Sequence, residues 1–159
     1  MTIIPGRGTE RLHLGQTSGY LRSAFGPPGR RRKAGAFREY WVYPELGFEC
    51  IVSRRSGRIL SIFLHSAHKL EGSEVFGASE DRIRALYSSP SLEGGEFRVD
   101  DGKFFGRWFS YDSGIGFHFD ESGRVETISV FAAKRKRKPR VVASDRRVQS
   151  RGIAALRMA

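Results

Sequence analysis

The residues whose type and placement call for weighing as catalysts or metal ligands are His13, His65, His68 and His118, the single Cys50, and the adjacent turn carboxylates Asp100-Asp101 and Asp120-Glu121. His65 and His68 stand three apart, a spacing that puts two imidazoles on one face of a helix. Their segment lacks the HExxH context of a zinc protease and reads as solvated histidines in a link. His118 lies between Phe117 and Phe119 in a strand pattern and so points to the face opposite theirs. A cysteine nucleophile needs a base at hand, and no spacing supplies one, so Cys50 reads as a small buried hydrophobe. Aspartates in turns bond to backbone, and the Asp-x-Asp-x-Asp-Gly calcium spacing is absent. Gly6-Arg7-Gly8 and Gly114-Ile115-Gly116 do not open a helix after a strand, so neither reads as a phosphate loop. The expectation is therefore no enzyme, no metal and no cofactor.

The remaining chemistry is that of binding. The chain carries 28 Lys and Arg against 17 Asp and Glu, a net charge of +11. Ten of those cations and a single acid, Asp145, fall in residues 134–159, so that segment holds +9 and the rest only +2. The run Lys134, Arg135, Lys136, Arg137, Lys138, Arg140, followed by Arg146 and Arg147, cannot bury its charge and calls for an anionic surface. The segment has no aromatic residue, which disfavours base stacking. A second acid-free stretch includes Arg30, Arg31, Arg32 and Lys33 in what reads as a basic loop over residues 26–36. Tyr40, Trp41 and Trp108 are the aromatic anchors expected to face a partner, because alternation along a strand cannot bury both members of Trp108-Phe109.

These residues must be positioned by a fold, and the sequence shows its plan as an internal repeat. At a constant offset of 62, Gly15, Thr17, Leu21, Arg22, Phe25 and Pro28 match Gly77, Ser79, Ile83, Arg84, Tyr87 and Pro90. Further on, Ser56-Gly57-Arg58 matches Ser122-Gly123-Arg124, and Tyr40-Trp41 aligns with Arg107-Trp108. Thr17 and Ser79 are natural helix N-caps. Leu21, Ala24 and Phe25, and Ile83, Leu86 and Tyr87, are apolar stripes at helical spacing. Gly26 and Ser88 end the two helices, with proline following. Strands are expected at about 37–43, 48–53 and 58–64, and again at 96–100, 104–111, 115–120 and 124–131. Asp101-Gly102 is the hairpin signal in the second set.

The order Leu-Gly-x-Thr, Phe-Gly-x-Pro, Trp-x-Tyr, Ser-Gly-Arg over residues 12–64, repeated over 74–131, resembles the small helix-plus-sheet domain of the SmpA/OmlA outer-membrane assembly lipoproteins. It is also similar to the beta-lactamase inhibitor protein fold, which carries two such units. The resemblance implies proteins that act by binding proteins. The lipoprotein signal, secretion signal and disulfides of those families are absent from this sequence, so their particular functions do not carry over. With 39% apolar and 28% charged residues, the composition suits a globular protein. The longest apolar run, Ile59–Leu64, is far short of the roughly 18–20 residues of a membrane span.

The expected fold is α+β: two tandem units, each a short helix followed by a three- to four-stranded antiparallel sheet, and an extended basic C-terminal tail. The units are residues 1–65 and 76–133, joined by 66–75, with the tail at 134–159. The two sheets are expected side by side. The expected function is that of a non-catalytic protein-interaction module, an accessory or assembly subunit of a larger complex. Its partner would present an acidic surface, at most beside the cytoplasmic side of an anionic membrane, and no small-molecule substrate is expected. The alternatives are an inhibitor or immunity-type protein, and a nucleic-acid binder gripping phosphate with the tail and the 30–33 segment.

Overall fold

A computed structural model describes residues 2–65, 69–70, 73–94, 97–98, 104–105 and 107–134. In chain order the elements are β1 (Thr2–Ile4), β2 (Gly8–Thr9), α1 (Ser18–Phe25), β3 (Arg30–Lys33), β4 (Arg38–Tyr43), β5 (Phe48–Ser53), β6 (Ile59–Leu64), β7 (Lys69–Leu70), β8 (Ser73–Glu74), α2 (Glu80–Tyr87), β9 (Leu92–Gly94), β10 (Phe97–Arg98), β11 (Phe104–Phe105), β12 (Trp108–Tyr111), β13 (Ile115–Phe119) and β14 (Val125–Phe131). A short 3-10 turn, Pro44–Leu46, joins β4 to β5. None of the described helices is long and apolar enough to cross a membrane.

The protein is α+β, built on one eight-stranded antiparallel sheet in the order β3-β4-β5-β6-β14-β13-β12-β9. Two expected sheets are thus one. The join is β6 against β14, where Ile62 faces Val130 and Leu64 faces Ile128. Both strands are apolar on one side, and left apart each would present an unpaired edge. Directly across the register, Trp41, Cys50, Ile62, Val130, Ile115 and Tyr111 lie on a common face. Both helices pack on that face: Leu21 and Ile83 are fully buried, Phe25 meets Tyr43 and Phe48, and Tyr87 meets Tyr111 and Phe117.

Local chemistry sets the helices as expected. The Thr17 hydroxyl accepts from the Tyr20 amide and the Ser79 hydroxyl from the Arg82 amide, so each caps a first turn. Each helix ends in a residue of positive φ, Gly26 at 80° and Ser88 at 63°. The Tyr43 hydroxyl donates to the Gly26 carbonyl and the Tyr111 hydroxyl points to that of Ser88. Arg58 donates to the Gly15 carbonyl and Arg124 to that of Gly77. The ladders run in parallel terms: Phe48 faces Leu64 and Cys50 faces Ile62, while Ile115 faces Val130 and Phe117 faces Ile128. Each ladder shifts register once, between Ile51 and Val52 and between His118 and Phe119.

Other expectations change. Residues 30–33 are not loop but the edge strand β3, pairing Arg30 with Val42 through to Lys33 with Glu39. A strand of four cations is stable here because Arg31 lies over the Trp41 ring and Arg32 over that of Tyr40. The expected strand 104–111 is two pieces. Phe104–Phe105 pairs with Phe97–Arg98 as a separate hairpin, while Trp108–Tyr111 belongs to the main sheet. Leu92–Gly94 is a strand the sequence did not announce, as are β1 and β2. Within the expected 66–75 link, β7 pairs in parallel with β1 and antiparallel with β8. Asp101-Gly102 lies outside the described residues.

Candidate interaction surface

The residues expected to bind a partner fall into separate places. Arg30, Arg31, Arg32, Lys33 and Tyr40 gather at the β3 edge. Trp108, on β12, lies near the opposite end of the sheet. Trp41 is not a surface anchor. It faces the helical side at 2% exposure, with Arg22 of α1 and Arg31 of β3 each 5.0 Å from its ring. Trp108 is half-buried, its ring lying where a side chain at Gly94 would be. Lys134 bonds to its own body: its Nζ is 3.0 Å from Asp112 and its amide bonds to the Asp112 carbonyl. Arg135, Lys136, Arg137, Lys138, Arg140, Arg146 and Arg147 lie outside the described residues.

At the β3 edge the acids are set behind the cations. Glu39 on β4 accepts from Arg31 at 2.5 Å and from the Trp41 indole at 3.1 Å, with Arg54 at 3.8 Å. The Arg31 hydrogen bond, then that of Trp41, holds the Glu39 carboxyl below its ordinary range. Among the described residues Arg30, Lys33 and Arg22 have no ion-pair partner. The outer side of β3 pairs with no other strand in the sheet.

The opposite end of the sheet uses the reverse charge. Arg31 faces Trp41, which faces Cys50; Glu93 faces Phe109, which faces Phe117. Arg31 and Glu93 therefore hold the same place on the two edge strands. Over Phe109 lies Arg84 of α2, at 4.3 Å, and Glu93 binds that guanidinium at 2.5 Å. Arg107 joins Glu80 at 3.0 Å and Glu93 at 3.9 Å.

On the helix-free face a polar series crosses the join between the halves. His65 is 3.4 Å from Glu49 through Nε2 and 3.0 Å from the Thr127 hydroxyl through Nδ1, and Arg32 reaches Glu49 at 3.3 Å. With Nε2–H turned to Glu49, Nδ1 accepts from Thr127. The bond from His65 is the chief cause holding the Glu49 carboxyl below its ordinary range, opposed by burial. His65 is thus no free link residue. The series ties Glu49 of β5 through His65 to Thr127 of β14, a residue 7% exposed. Beside it, burial pushes the His118 imidazole down to about 4, with His65 adding to the effect. The sequence missed this series because its members are far apart in the chain; only the Trp-x-Tyr and Ser-Gly-Arg strands that bring them together were visible.

The other candidates lie apart from this series. Cys50 is fully buried, and burial raises its thiol well above the ordinary range, which keeps it protonated. Asp120 accepts from the Ser122 and Arg124 amides and the Ser122 hydroxyl, closing the turn before β14. His13 sits in an isolated bridge with Gly8. His68, Asp100 and Asp101 lie outside the described residues. Among the described residues no group of three His, Cys, Asp or Glu is set to hold a metal ion.

By sequence, no protein-family model and no curated protein matches the chain. Solved structures resemble it, among them the following three. One is a DUF4309-family protein from Bacillus subtilis, at 12% identity and TM-score 0.52, with 80% of this chain and 88% of that one covered. The second is an extracellular SCP-domain protein from Bacillus anthracis, at 14% identity and TM-score 0.48, covering 75% of this chain and 44% of that one. The third is a cysteine-rich secretory protein from Staphylococcus aureus, at 18% identity and TM-score 0.46, covering 82% and 47%. The chain spans less than half the length of the last two. The likeness to the DUF4309-family protein is one of fold alone, an α+β arrangement. That likeness supports an α+β fold, and not the SmpA/OmlA or beta-lactamase-inhibitor fold specifically.

Proposed function

We propose that the chain is a non-catalytic protein-interaction module, an accessory or assembly subunit, whose β3 edge takes an extended acidic segment of a protein partner by strand addition. One observation carries the reading: the place held by Glu93 on one edge strand is held by Arg31 on the other. At β9 a carboxylate of the chain itself answers the helix arginine above the aromatic ring. At β3 two arginines stack on Trp41, and of these two Glu39 pairs with Arg31 and not with Arg22 among the described residues. A carboxylate from outside would do for Arg22 what Glu93 does for Arg84. An open edge supplies backbone hydrogen bonds to any extended chain, and charge then selects the partner. Four cations in β3 oppose pairing with a second β3.

The reading includes two further parts. The two halves are copies of one helix-plus-sheet unit, in the manner of the SmpA/OmlA-like and beta-lactamase-inhibitor-like folds. The basic run beyond Lys134 adds a second contact to the partner's acidic surface. Fluorescence anisotropy with a labelled peptide of alternating Glu and Val, its Lys–Val counterpart and a short single-stranded DNA tests the proposal. The Glu–Val peptide should bind alone, less tightly as salt rises. Arg31→Glu, which copies the β9 edge, should weaken it at least about tenfold, the scale of a charge-assisted bond. Equal binding by Arg31→Glu, or preference for the DNA, would overturn the β3 reading. Deleting residues 135–159 measures the tail's share.

A further inference from the structure

On the helical side of the α1 half the packing leaves a cavity of about 330 Å³. Leu12, Phe48 and Leu64 are buried at its floor, and Ala24 and Phe25 close it from the last turn of α1. Leu46, 46% exposed on the turn after β4, and the exposed Arg11 form its rim. The cavity wall contributed by α1 includes the small Ala24; at the matching place α2 carries Leu86, which is 42% exposed.

The occupant is constrained by what lines the cavity. The floor offers hydrocarbon and one aromatic ring, so the ligand's body must be apolar. Arg11 brings the charge. Its guanidinium lies 5.5 Å from the Phe25 ring centroid and, among the described residues, pairs with no carboxylate. Its carbonyl accepts from the Tyr20 hydroxyl at 2.9 Å and from the Gln16 amide at 3.4 Å, which fixes the backbone beneath that side chain. The volume is at the small end of the roughly 300–1,000 Å³ typical of ligand sites, too little for a two-chain lipid.

We infer that this cavity binds a small single-chain amphiphile of one negative charge, such as a medium-chain carboxylate, its tail on Leu12, Phe48 and Leu64 and its head on Arg11. The site is independent of the β3 edge. Titration calorimetry of the full chain with sodium decanoate, below its micelle-forming concentration, tests it, with decyltrimethylammonium as the cationic match. Decanoate should saturate at one per chain and bind about tenfold tighter than the cation. Arg11→Gln, at an exposed position, should erase that preference with the melting temperature unchanged. Ala24→Leu should fill the cavity and abolish binding of both, while Arg31→Glu leaves both unaltered. No saturable decanoate binding, equal affinity for the cation, or a preference that survives Arg11→Gln would overturn the inference. The Arg11 result decides even if Ala24→Leu does not fold.

Discussion

The half built on α1 and the half built on α2 solve the same packing problem with opposite charge. In both, an arginine at the matching place of the helix lies over an aromatic side chain of the second strand from the edge: Arg22 over Trp41, Arg84 over Phe109. In the α2 half the edge strand returns a carboxylate, and Glu80 and Asp81 start the helix. In the α1 half the edge strand returns another cation, and the first helical turn has no acid. In the α2 half the helix arginine over the ring is answered by a carboxylate of the edge strand, while in the α1 half the carboxylate, Glu39, lies on the second strand and pairs with the edge arginine Arg31 instead. The apolar ladder registers of the two halves run in parallel, while the charge carried by their edge strands differs.

The comparison breaks most visibly at the helix centres. Leu21 and Ile83 are both fully buried at the same helical position. Leu21→Ala and Ile83→Ala should each cost about 2–5 kcal/mol by urea unfolding, within about 1 kcal/mol of each other. A near-neutral Leu21→Ala would mean that the α1 half is held by other contacts than the α2 half.

Next comes acid sensitivity, which should reside in the α2 half. His118 faces Thr127 and Trp108, just as Ile51 faces Ser61 and Tyr40. Ser129 Oγ lies 3.3 Å from its Nε2, the Phe63 ring is beside it, and His65 is close enough to lower its proton affinity. The native imidazole titrates at about 4 instead of 6.5. Between those values the unfolded chain binds the proton and the folded one does not, so stability falls as pH falls, by up to about 3 kcal/mol. His118→Ile, the residue of the other half, should flatten that fall between about pH 7 and about pH 5. Glu39 and Glu49, both held below the ordinary carboxylate range, lose their contribution only at lower pH, so the two effects separate.

Local signals made much of this fold legible. Caps, helix stripes and Ser-Gly-Arg turns involve residues a few positions apart; the caps and turns are where the sequence puts them, and the stripes pack through Leu21, Phe25, Ile83 and Tyr87, while Leu86 is 42% exposed. The β3 strand was hidden because Arg30–Lys33 has no apolar alternation; its stability comes from rings on β4. The aromatic pairs misled by one residue: Trp41 was aligned with Trp108, whereas the ladder sets Trp41 with Phe109 and Tyr40 with Trp108. The β6–β14 join and the His65–Thr127 bond span 62 residues or more and leave no local trace. The small acidic strand at β9 was invisible for the same reason as β3.

A smaller effect sharpens the contrast between edges. An ideal Cβ at Gly94 would lie 2.2 Å from the Trp108 indole nitrogen, while the facing pair in the other half is Arg32 and Tyr40. Gly94→Ala should cost about 1–3 kcal/mol by overpacking and shift the Trp108 emission. Combined with Trp108→Leu it should cost less than alone. Additive costs would show that the indole does not fill the space above Gly94.

The smallest contrast is at the helix ends. Gly26 has φ 80° and ψ −174°, and Ser88 has φ 63° and ψ −153°. That region is almost reserved for glycine, because a Cβ there crowds the neighbouring carbonyl, at a cost of about 1–3 kcal/mol. The α1 half carries the unstrained residue and the α2 half the strained one. Glycine in turn gives back part of the gain through the entropy of the unfolded chain, roughly 0.5–1 kcal/mol. Ser88→Gly should therefore stabilise by about 1 kcal/mol, and Gly26→Ser should destabilise by about 1–2 kcal/mol. The Tyr43 and Tyr111 hydroxyls act on the main-chain carbonyls of these residues, so neither change removes their partner. Thermal unfolding of the two variants gives the sign directly. If Ser88→Gly destabilises, the serine hydroxyl contributes more than its backbone costs, and the helix ends are held by different physics in the two halves.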